Sequence, residues 1–442
     1  MLEPLRNPTY RHLFAAQIIA LVGTGLLTVA LGLLAYDLAG QNAGAVLGTA
    51  LAIKMIAYVG IAPIAGAVAG MLPRRAMLVS LDVVRALIAL GLPFITQVWQ
   101  IYVLIFILQA ASAAFTPTFQ ATIPDILPED EDYTKALSLS RIAYDMESLL
   151  SPLLAAALLT LVSFHVLFAG TAIGFLLSAA FVISVNLPHP KASQASSFAD
   201  RLTLGLRIFL ATPRLRGLLS LNLAAAAAGA IVFVNTVVII RDALGFGDRA
   251  VALTLAAFGL GSMAAAFVLP RILERDSDRS VMLLGSVIMT SGLVATALAL
   301  WSFAGSAAWF ALLPLWSILG IGYGMMLTPT GRLLRRSTHD ADRPGLFAAQ
   351  FALSHACWLA TYPVAGWVGA WIGVPATILL HAVIAGLALA AATQLWPRDD
   401  PDTVAHSHEN LPASHPHLQN HASGRDHAHV FVIDALHRRW PS

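Results

Sequence analysis

Histidine is concentrated at the carboxyl end of this chain. Of its 14 histidines, eight follow Pro397, in three His-x-His pairs and two single positions. The eight are His406, His408, His415, His417, His421, His427, His429 and His437. Neutral imidazole binds divalent Ni, Co and Zn, and a flexible segment can fold two or three such ligands around one ion. We therefore expect this segment to bind a divalent metal ion at neutral pH and to lose it below about pH 6, where imidazole becomes protonated. The alternative is a compositional feature without a role.

Three prolines and an apolar run bear on how this segment is organised. Pro401, Pro412 and Pro416 argue against one long helix, so the first part is predicted to be a mobile arm. Residues 430–433 are apolar, and Trp440 follows a basic pair. This last fragment can dock on the rest of the protein or on a membrane surface.

Charged residues inside apolar segments form a second set of candidates. An ionisable side chain at the centre of a bilayer costs about 2.5–3.5 kcal/mol, so each one needs a reason. Lys54, Asp145 and Glu147 lie well inside such segments. A carboxylate in a low-dielectric cavity can exchange a proton for a divalent cation. Asp145 or Glu147, opposed by Lys54, is thus predicted to couple proton entry to substrate release. In the structural alternative Arg141 pairs with Asp145 at i, i+4, and Lys54 is a candidate partner for Glu147.

Other polar residues in apolar segments have a structural explanation. Asp82 and Arg85 are three residues apart, so they can pair on one helix face. His355, with Cys357 and His381, suggests a metal relay, but residues two apart point to different faces of a helix. We favour core packing for these three, because neutral His and Cys are tolerated inside proteins.

The elements that must hold these residues are apolar helices. The chain has 442 residues, of which 58% are hydrophobic and 11% charged, whereas soluble domains are roughly 25% charged. A helix that spans a bilayer needs ~20 apolar residues, and twelve stretches meet this requirement. They are residues 13–37, 45–70, 76–96, 100–123, 139–163, 165–187, 215–240, 250–270, 280–303, 307–330, 346–371 and 374–396. We predict an all-α integral membrane protein in a lipid bilayer. The net charge of +2 gives no argument for a nucleic acid partner.

The distribution of Lys and Arg predicts the orientation of these helices. With both termini in the cytoplasm, Lys54 and Arg85 lie within spans and only Arg241 and Arg249 lie outside. Every other Lys and Arg then lies at the cytoplasmic face, as the positive-inside rule requires.

The predicted spans divide the chain into four parts. Residues 1–188 form an amino-terminal six-helix half, and 189–213 form a cytoplasmic linker with a short interfacial helix. Residues 214–397 form a carboxyl-terminal six-helix half, and 398–442 form the histidine-rich cytoplasmic tail.

The two halves also repeat in sequence. Pro117 lies in a Thr-Pro-Thr motif at the end of the fourth span, and Pro329 lies in the same motif at the end of the tenth. Pro152 and Pro363 occupy matching positions in the fifth and eleventh spans. Parallel repeats of this kind build transporters whose substrate site lies between the halves near the middle of the membrane.

Two segments carry a family pattern. Residues 7–14 read Asn-Pro-Thr-Tyr-Arg-His-Leu-Phe, and residues 117–125 read Pro-Thr-Phe-Gln-Ala-Thr-Ile-Pro-Asp. Over nearly all of residues 4–397 the sequence resembles major facilitator superfamily exporters of the macrolide-efflux type. The histidine-rich tail makes it similar to the NreB-like nickel-resistance exporters of bacteria. The resemblance implies proton-coupled antiport across the bacterial inner membrane.

Two motifs of that superfamily are altered here. The loop after the second span keeps the glycine, Gly66, and the basic pair Arg74-Arg75, but Gly70 stands where the family has an aspartate. The glycine-rich antiporter signature of the fifth span is reduced to Ser151-Pro152. The resemblance implies a gating role for the first motif.

These features predict a monomeric secondary exporter of a divalent transition metal, Ni or Co before Zn, that works by alternating access between its halves. The sequence lacks a phosphate-binding glycine-rich loop, which argues against an ATP-driven pump and an enzyme, and no cofactor is expected. Two alternatives are an exporter of organic drugs with the same fold and a membrane-embedded metal sensor that transports nothing.

Overall fold

The computed structural model describes residues 3–68, 73–187, 198–339, 342–407, 426–434, 436–437 and 439–440. The helices of the first half are α1 Pro8–Ala39, α2 Ala43–Val68, α3 Arg74–Gly91, α4 Val98–Ile126, α5 Asp130–Leu158 and α6 Phe164–Ile183. The connecting helix is α7 Phe198–Ala211. The second half contains α8 Pro213–Ala230, α9 Asp248–Ile272, α10 Asp278–Ser302, α11 Gly305–Leu327, α12 Thr330–Arg336, α13 Arg343–Pro363, α14 Gly369–Ile372 and α15 Val374–Leu395. The tail contributes β1 Thr403–Ser407 and β2 Asp426–Val430.

Twelve of these helices have membrane length. Among the described residues, nine stretches are long and apolar enough to cross a bilayer. One of them, Pro8–Ile61, contains both α1 and α2, and the others contain one long helix each. The long helices α5 and α13, which carry polar candidate residues such as Glu147 and His355, bring the number of membrane-length helices to twelve. A helix satisfies its backbone hydrogen bonds internally, which is why apolar segments fold this way in lipid.

Each half packs as its own bundle. In the first half α1 packs on α5 and α6, and α4 packs on α2 and α3. In the second half α11 packs on α9 and α10, and α15 packs on α8 and α10. Small residues allow the helices to touch: a Cβ on Gly261 of α9 would lie 1.9 Å from the carbonyl oxygen of Ser317 on α11.

The halves meet along two helix pairs, α2 with α13 and α5 with α9. In the first pair, α2 is the second span of the first half and α13 is the fifth span of the second half. In the other pair, α5 is the fifth span of the first half and α9 is the second span of the second half. The two pairs are therefore equivalent when the halves are exchanged, as a parallel repeat requires. Glycine makes the α2 contact close, because a Cβ on Gly48 would lie 2.6 Å from the carbonyl oxygen of Tyr362. Beyond Pro363 the helix continues as a π-helical turn, Val364–Val368, which also packs on α2.

The even number of spans places both chain ends at one face of the bundle, here called the terminal face. At the opposite face, polar contacts join the two halves. Arg241, which follows α8, forms an ion pair with Asp248 and lies 3.4 Å from Asp37 of the first half. Arg249 donates hydrogen bonds to the carbonyl oxygens of Leu159 (3.1 Å) and Thr160 (2.8 Å) at the end of α5.

The tail is anchored at the terminal face. β1 and β2 form an antiparallel hairpin in which His406 faces His427. The prediction of a mobile arm directly after the last span is therefore wrong for residues 399–407. The reason is a set of ion pairs with Arg214 and Arg336, which lie far away in sequence.

Candidate transport site and candidate metal centre

Glu147 and Lys54 lie within electrostatic range of each other in the first half. Glu147 lies on α5 and Lys54 on α2, both are partly exposed, and their opposite charges interact. Gly25 of α1 allows α5 to come close, because a Cβ there would lie 1.8 Å from Ser151 Oγ and 3.5 Å from Glu147 Oε1. The structure thus places two of the predicted coupling residues on the two helices of this half that make its main contacts with the other half.

A stack of rings leads from Lys54 to the second half. Lys54 Nζ lies 5.7 Å from the ring centre of Tyr58, one turn further along α2. The Tyr58 ring stacks on His355 of α13, with centroids 5.4 Å apart and planes 5° apart, and on Phe351 at 5.8 Å. His355 donates from Nδ1 to the carbonyl oxygen of Phe351 at 2.7 Å, which fixes its ring. The charged groups of Lys54 and Glu147 are therefore connected, through the Tyr58 ring, to the contact between α2 and α13.

Five further aromatic rings contact one another within the second half, and sequence reasoning missed them. Contacts with centroids 5.0–6.4 Å apart run through four helices. This aromatic row consists of Phe233, Phe258, Tyr323, Trp358 and Tyr362. Single aromatics on separate helices give no sequence signal, although Trp358 is one turn from His355 and could have been noticed.

Asp82 and Arg85 form a buried ion pair on α3. Ser178 of α6 donates to Asp82 at 2.7 Å, and the guanidinium group of Arg85 lies over Phe115 at 4.3 Å and Phe175 at 4.5 Å. These contacts join residues of α3, α4 and α6, so the ion pair holds the three helices together.

The basic pair at the start of α3 also has structural partners. Arg74 forms an ion pair with Asp125 near the end of α4. Arg75 donates to Asn186 and to the carbonyl oxygen of Ile183 at the end of α6. These contacts tie three helices at the terminal face.

Several predicted residues lie partly or wholly outside the described structure. Gly66, Pro117, Arg141, Asp145 and Pro152 occupy helical backbone positions, but their surroundings lie outside the described residues. Of the second-half prolines, Pro329 separates α11 from α12 and Pro363 ends α13. Of the tail histidines, His408, His415, His417 and His421 lie outside the described residues.

His381 and Cys357 are core residues in this structure. The ring nitrogens of the fully buried His381 lie 2.9 Å from the carbonyl oxygen of Thr377 and 3.4 Å from that of Thr361. Cys357 is buried on α13. The backbone contacts of His381 favour packing over a metal relay for this residue.

Three tail histidines converge on one point, and a fourth lies beside one of them. The ligand nitrogens of His406, His427 and His429 lie within 4.8 Å of one another. His437 joins them, with its Nε2 atom 3.2 Å from Nε2 of His406. Register explains the first three, because His427 faces His406 across the hairpin and His429 follows two residues later on the same face.

The other ring nitrogens of this cluster are held by oxygen atoms. Nδ1 of His406 lies 3.0 Å from the carbonyl oxygen of Val404, and Nδ1 of His429 lies 2.7 Å from that of Val430. Nδ1 of His437 lies 3.0 Å from the carboxylate of Asp434. Burial lowers the pKa of His406, and the neighbouring imidazoles lower it further, so the neutral ring is favoured.

Ion pairs and apolar packing hold the tail on the second half. Arg214 at the start of α8 contacts Asp400 at 3.2 Å and Asp402 at 3.0 Å, and Arg336 of α12 contacts both carboxylates at 2.9 and 3.0 Å. Partial burial opposes ionisation of Asp402, but the two guanidinium groups hold its pKa below the ordinary value. Phe431 is 2% exposed and packs with the core of the bundle.

The comparisons with known proteins agree with this architecture. The family model of the Major Facilitator Superfamily matches residues 13–236 and 217–426. The chain belongs to this superfamily; it is a multi-pass membrane transport protein rather than an enzyme, with a lipid bilayer and small-molecule substrates as its partners.

Individual relatives are distant. The uncharacterized MFS-type transporter YfiS of Bacillus subtilis (strain 168) is 24% identical over 334 residues, which cover 72% of this chain and 76% of that protein. Localisation in a bacterial inner membrane agrees with this bacterial relative.

Solved structures share the fold. The inward-facing, unoccupied bacterial homologue of the human lysosomal transporter Spinster has a TM-score of 0.68 at 12% identity, covering 89% of this chain and 97% of that chain. A D-xylose-proton symporter has a TM-score of 0.66 at 15% identity, covering 88% and 98%.

Proposed function

We propose that the chain is a proton-coupled exporter of a divalent transition metal ion, Ni or Co before Zn, acting as a monomer by alternating access between its halves. The observation that carries the proposal is the placement of Glu147 and Lys54. Opposite charges stand on α5 and α2, and these are the helices along which the first half contacts the second. Any change in the charge of Glu147 is thus made on a helix along which the two halves contact each other.

Three species can compete for the Glu147 carboxylate. When it is ionised it is attracted by Lys54, when it is protonated that attraction is lost, and a divalent cation can take the place of the proton. Proton entry from one side then displaces the cation, and Lys54 opposes its return. Lys54 contacts the Tyr58 ring, and Tyr58 stacks on His355 of α13. Loss of the Glu147 charge therefore also changes the electrostatic field at the contact between the two halves.

The histidine-rich tail supports a metal ion as the substrate. The part of the tail that the structure describes lies at the terminal face, which the positive-inside rule assigns to the cytoplasm. Imidazole nitrogens select Ni, Co, Zn and Cu over Mg and Ca, so the tail brings together the donors that such a substrate prefers.

The test is nickel uptake into everted membrane vesicles driven by a proton gradient. We expect the combined change Asp145→Asn and Glu147→Gln to reduce uptake by about tenfold or more, which corresponds to at least ~1.4 kcal/mol of lost coupling. Glu274→Gln, at an exposed carboxylate beyond α9, is the matched control and should transport normally. Normal proton-driven uptake by the double variant would contradict the proposal.

The aromatic row favours a second candidate, an exporter of organic molecules. Flat rings such as those of Phe233 and Trp358 suit an apolar or cationic organic substrate better than a small metal ion. Growth assays with nickel and with macrolides, in cells with and without the protein, separate the two. If the protein protects cells against macrolides but not against nickel, its substrate is an organic drug rather than a metal ion.

A further inference from the structure

Four of the eight tail histidines are here called the histidine clasp: His406, His427, His429 and His437. They come from three separate pieces of chain: β1, β2 and the segment after β2. An Asx turn at Asp434 brings in the fourth residue, because Asp434 Oδ1 accepts hydrogen bonds from the backbone N–H groups of Leu436 (2.8 Å) and His437 (2.7 Å).

The clasp has the orientation of a ligand set. Carbonyl oxygens accept from Nδ1 of His406 and His429, and a carboxylate accepts from Nδ1 of His437. Each of these contacts requires a proton on Nδ1. In a neutral ring the Nε2 lone pair is then the one that can bind an ion, and the Nε2 atoms of His406 and His437 are directed at each other. A carboxylate or carbonyl behind the ring is the usual support of a metal-binding histidine, since it fixes the tautomer and the ring plane.

One distance in the clasp fits a bound ion. The Nε2 atoms of His406 and His437 are 3.2 Å apart. Two nitrogens bound to one tetrahedral ion at about 2.0–2.1 Å each stand about 3.3 Å from each other. Two neutral rings whose lone pairs face each other at this distance repel, whereas an ion between them attracts both.

We infer that the clasp is a closed four-nitrogen site for a divalent transition metal ion of the Zn, Co or Ni class, and that the ion locks the tail onto the second half of the transporter. Four imidazoles fill a tetrahedral shell and leave no open position for transfer of the ion, as in structural metal sites. Imidazole donors exclude Mg and Ca.

The neighbours of the clasp explain how the ion would act on the bundle. Asp402, directly before β1, pairs with Arg214 of α8 and Arg336 of α12, and its carbonyl oxygen accepts from the N–H of Phe431 at 2.8 Å. Phe431 and Ile433 after β2 are buried against the bundle. An ion that links β1, β2 and His437 therefore joins all the anchored pieces of the tail, and it stabilises their docked arrangement by closing loops between them.

The test uses the full-length protein in detergent and Co²⁺ as the probe, because the visible spectrum of Co²⁺ reports tetrahedral coordination. We expect the wild type to show a tetrahedral Co²⁺ spectrum, and metal to slow amide hydrogen exchange in β1 and β2. His406→Ala with His437→Ala should lose both effects. His415→Ala with His417→Ala removes the same number of histidines from the same tail and should keep both.

Asp434→Asn provides a second variant that keeps all four ligands. Asparagine can still accept at the Asx turn, but it lacks the negative charge that supports His437. We expect about tenfold weaker Co²⁺ binding with the spectrum retained. Unchanged affinity in Asp434→Asn together with unchanged spectra in the clasp variant would overturn the inference. So would metal that leaves hydrogen exchange of the hairpin unaltered. No flux is measured, so failure of nickel transport and failure of the clasp are independent results.

Discussion

Glu147 depends for its position on a residue without functional groups. Gly25 on α1 is the place where α5 approaches, and Ser151 occupies the space that a side chain at Gly25 would need. Helices can come this close only where one of them lacks a Cβ. The carboxylate is thereby held on the side of α5 from which it interacts with Lys54.

We expect Gly25→Ala to cost about 1–3 kcal/mol of stability through overpacking and to slow nickel uptake, because α5 and Glu147 must move away from α1. Ser151→Gly removes the atoms in the way, so the double variant should recover most of both losses. Thermal unfolding in detergent and vesicle uptake are the measurements. Gly60→Ala, where a Cβ meets nothing described within 4 Å, is the control. Wild-type values for Gly25→Ala alone would contradict the packing argument.

At the scale of elements, the membrane helices followed from sequence and their partners did not. Long apolar runs predict spans, and the need of a buried carboxylate for a cation suggested Lys54 for Glu147. The Tyr58–His355 stack required knowing that α2 lies on α13, which no local pattern encodes. The tail was predicted to be mobile because the partners of Asp400 and Asp402 are Arg214 and Arg336, distant in sequence. The position of His437 beside His406 depends on the hairpin and the Asx turn.

The contact of α2 with the π-helical turn after Pro363 yields a prediction about the opposite face. A Cβ on Gly366 would lie 2.3 Å from the carbonyl oxygen of Gly44, which is backbone and cannot turn aside. We expect Gly366→Ala to push the halves apart at this face. Cysteines replacing Thr160 and Arg249, in a Cys357→Ser background, should then form a disulfide several-fold more slowly.

Gly331→Ala is the control for that experiment, since a Cβ at Gly331 meets nothing described within 4 Å. Thr160 and Arg249 report on this face because the guanidinium group of Arg249 donates a hydrogen bond of 2.8 Å to the backbone carbonyl oxygen of Thr160 across the two halves. Equal rates of disulfide formation in Gly366→Ala and in the Gly331→Ala control would show that glycine packing does not hold this face closed.

At the scale of the whole molecule, the two faces of the bundle carry different structural features. The terminal face holds the docked tail with its histidine clasp, and the opposite face holds the cross-half contacts of Arg241 and Arg249. If the histidine clasp responds to the exported metal ion, it must lie on the side of the membrane where the ion accumulates before transport. The proposal therefore depends on which face lies in the cytoplasm.

Labelling of single cysteines in a Cys357→Ser background tests the orientation. Gly247 lies in an exposed loop at the opposite face, and Glu274 lies in an exposed loop at the terminal face. The positive-inside rule predicts that a membrane-impermeant maleimide labels Gly247→Cys in intact cells and labels Glu274→Cys only after permeabilisation. The reverse pattern would place the clasp outside the cell, where it could respond only to external metal. The proposal that the clasp binds metal on the side from which the ion is exported would then be wrong.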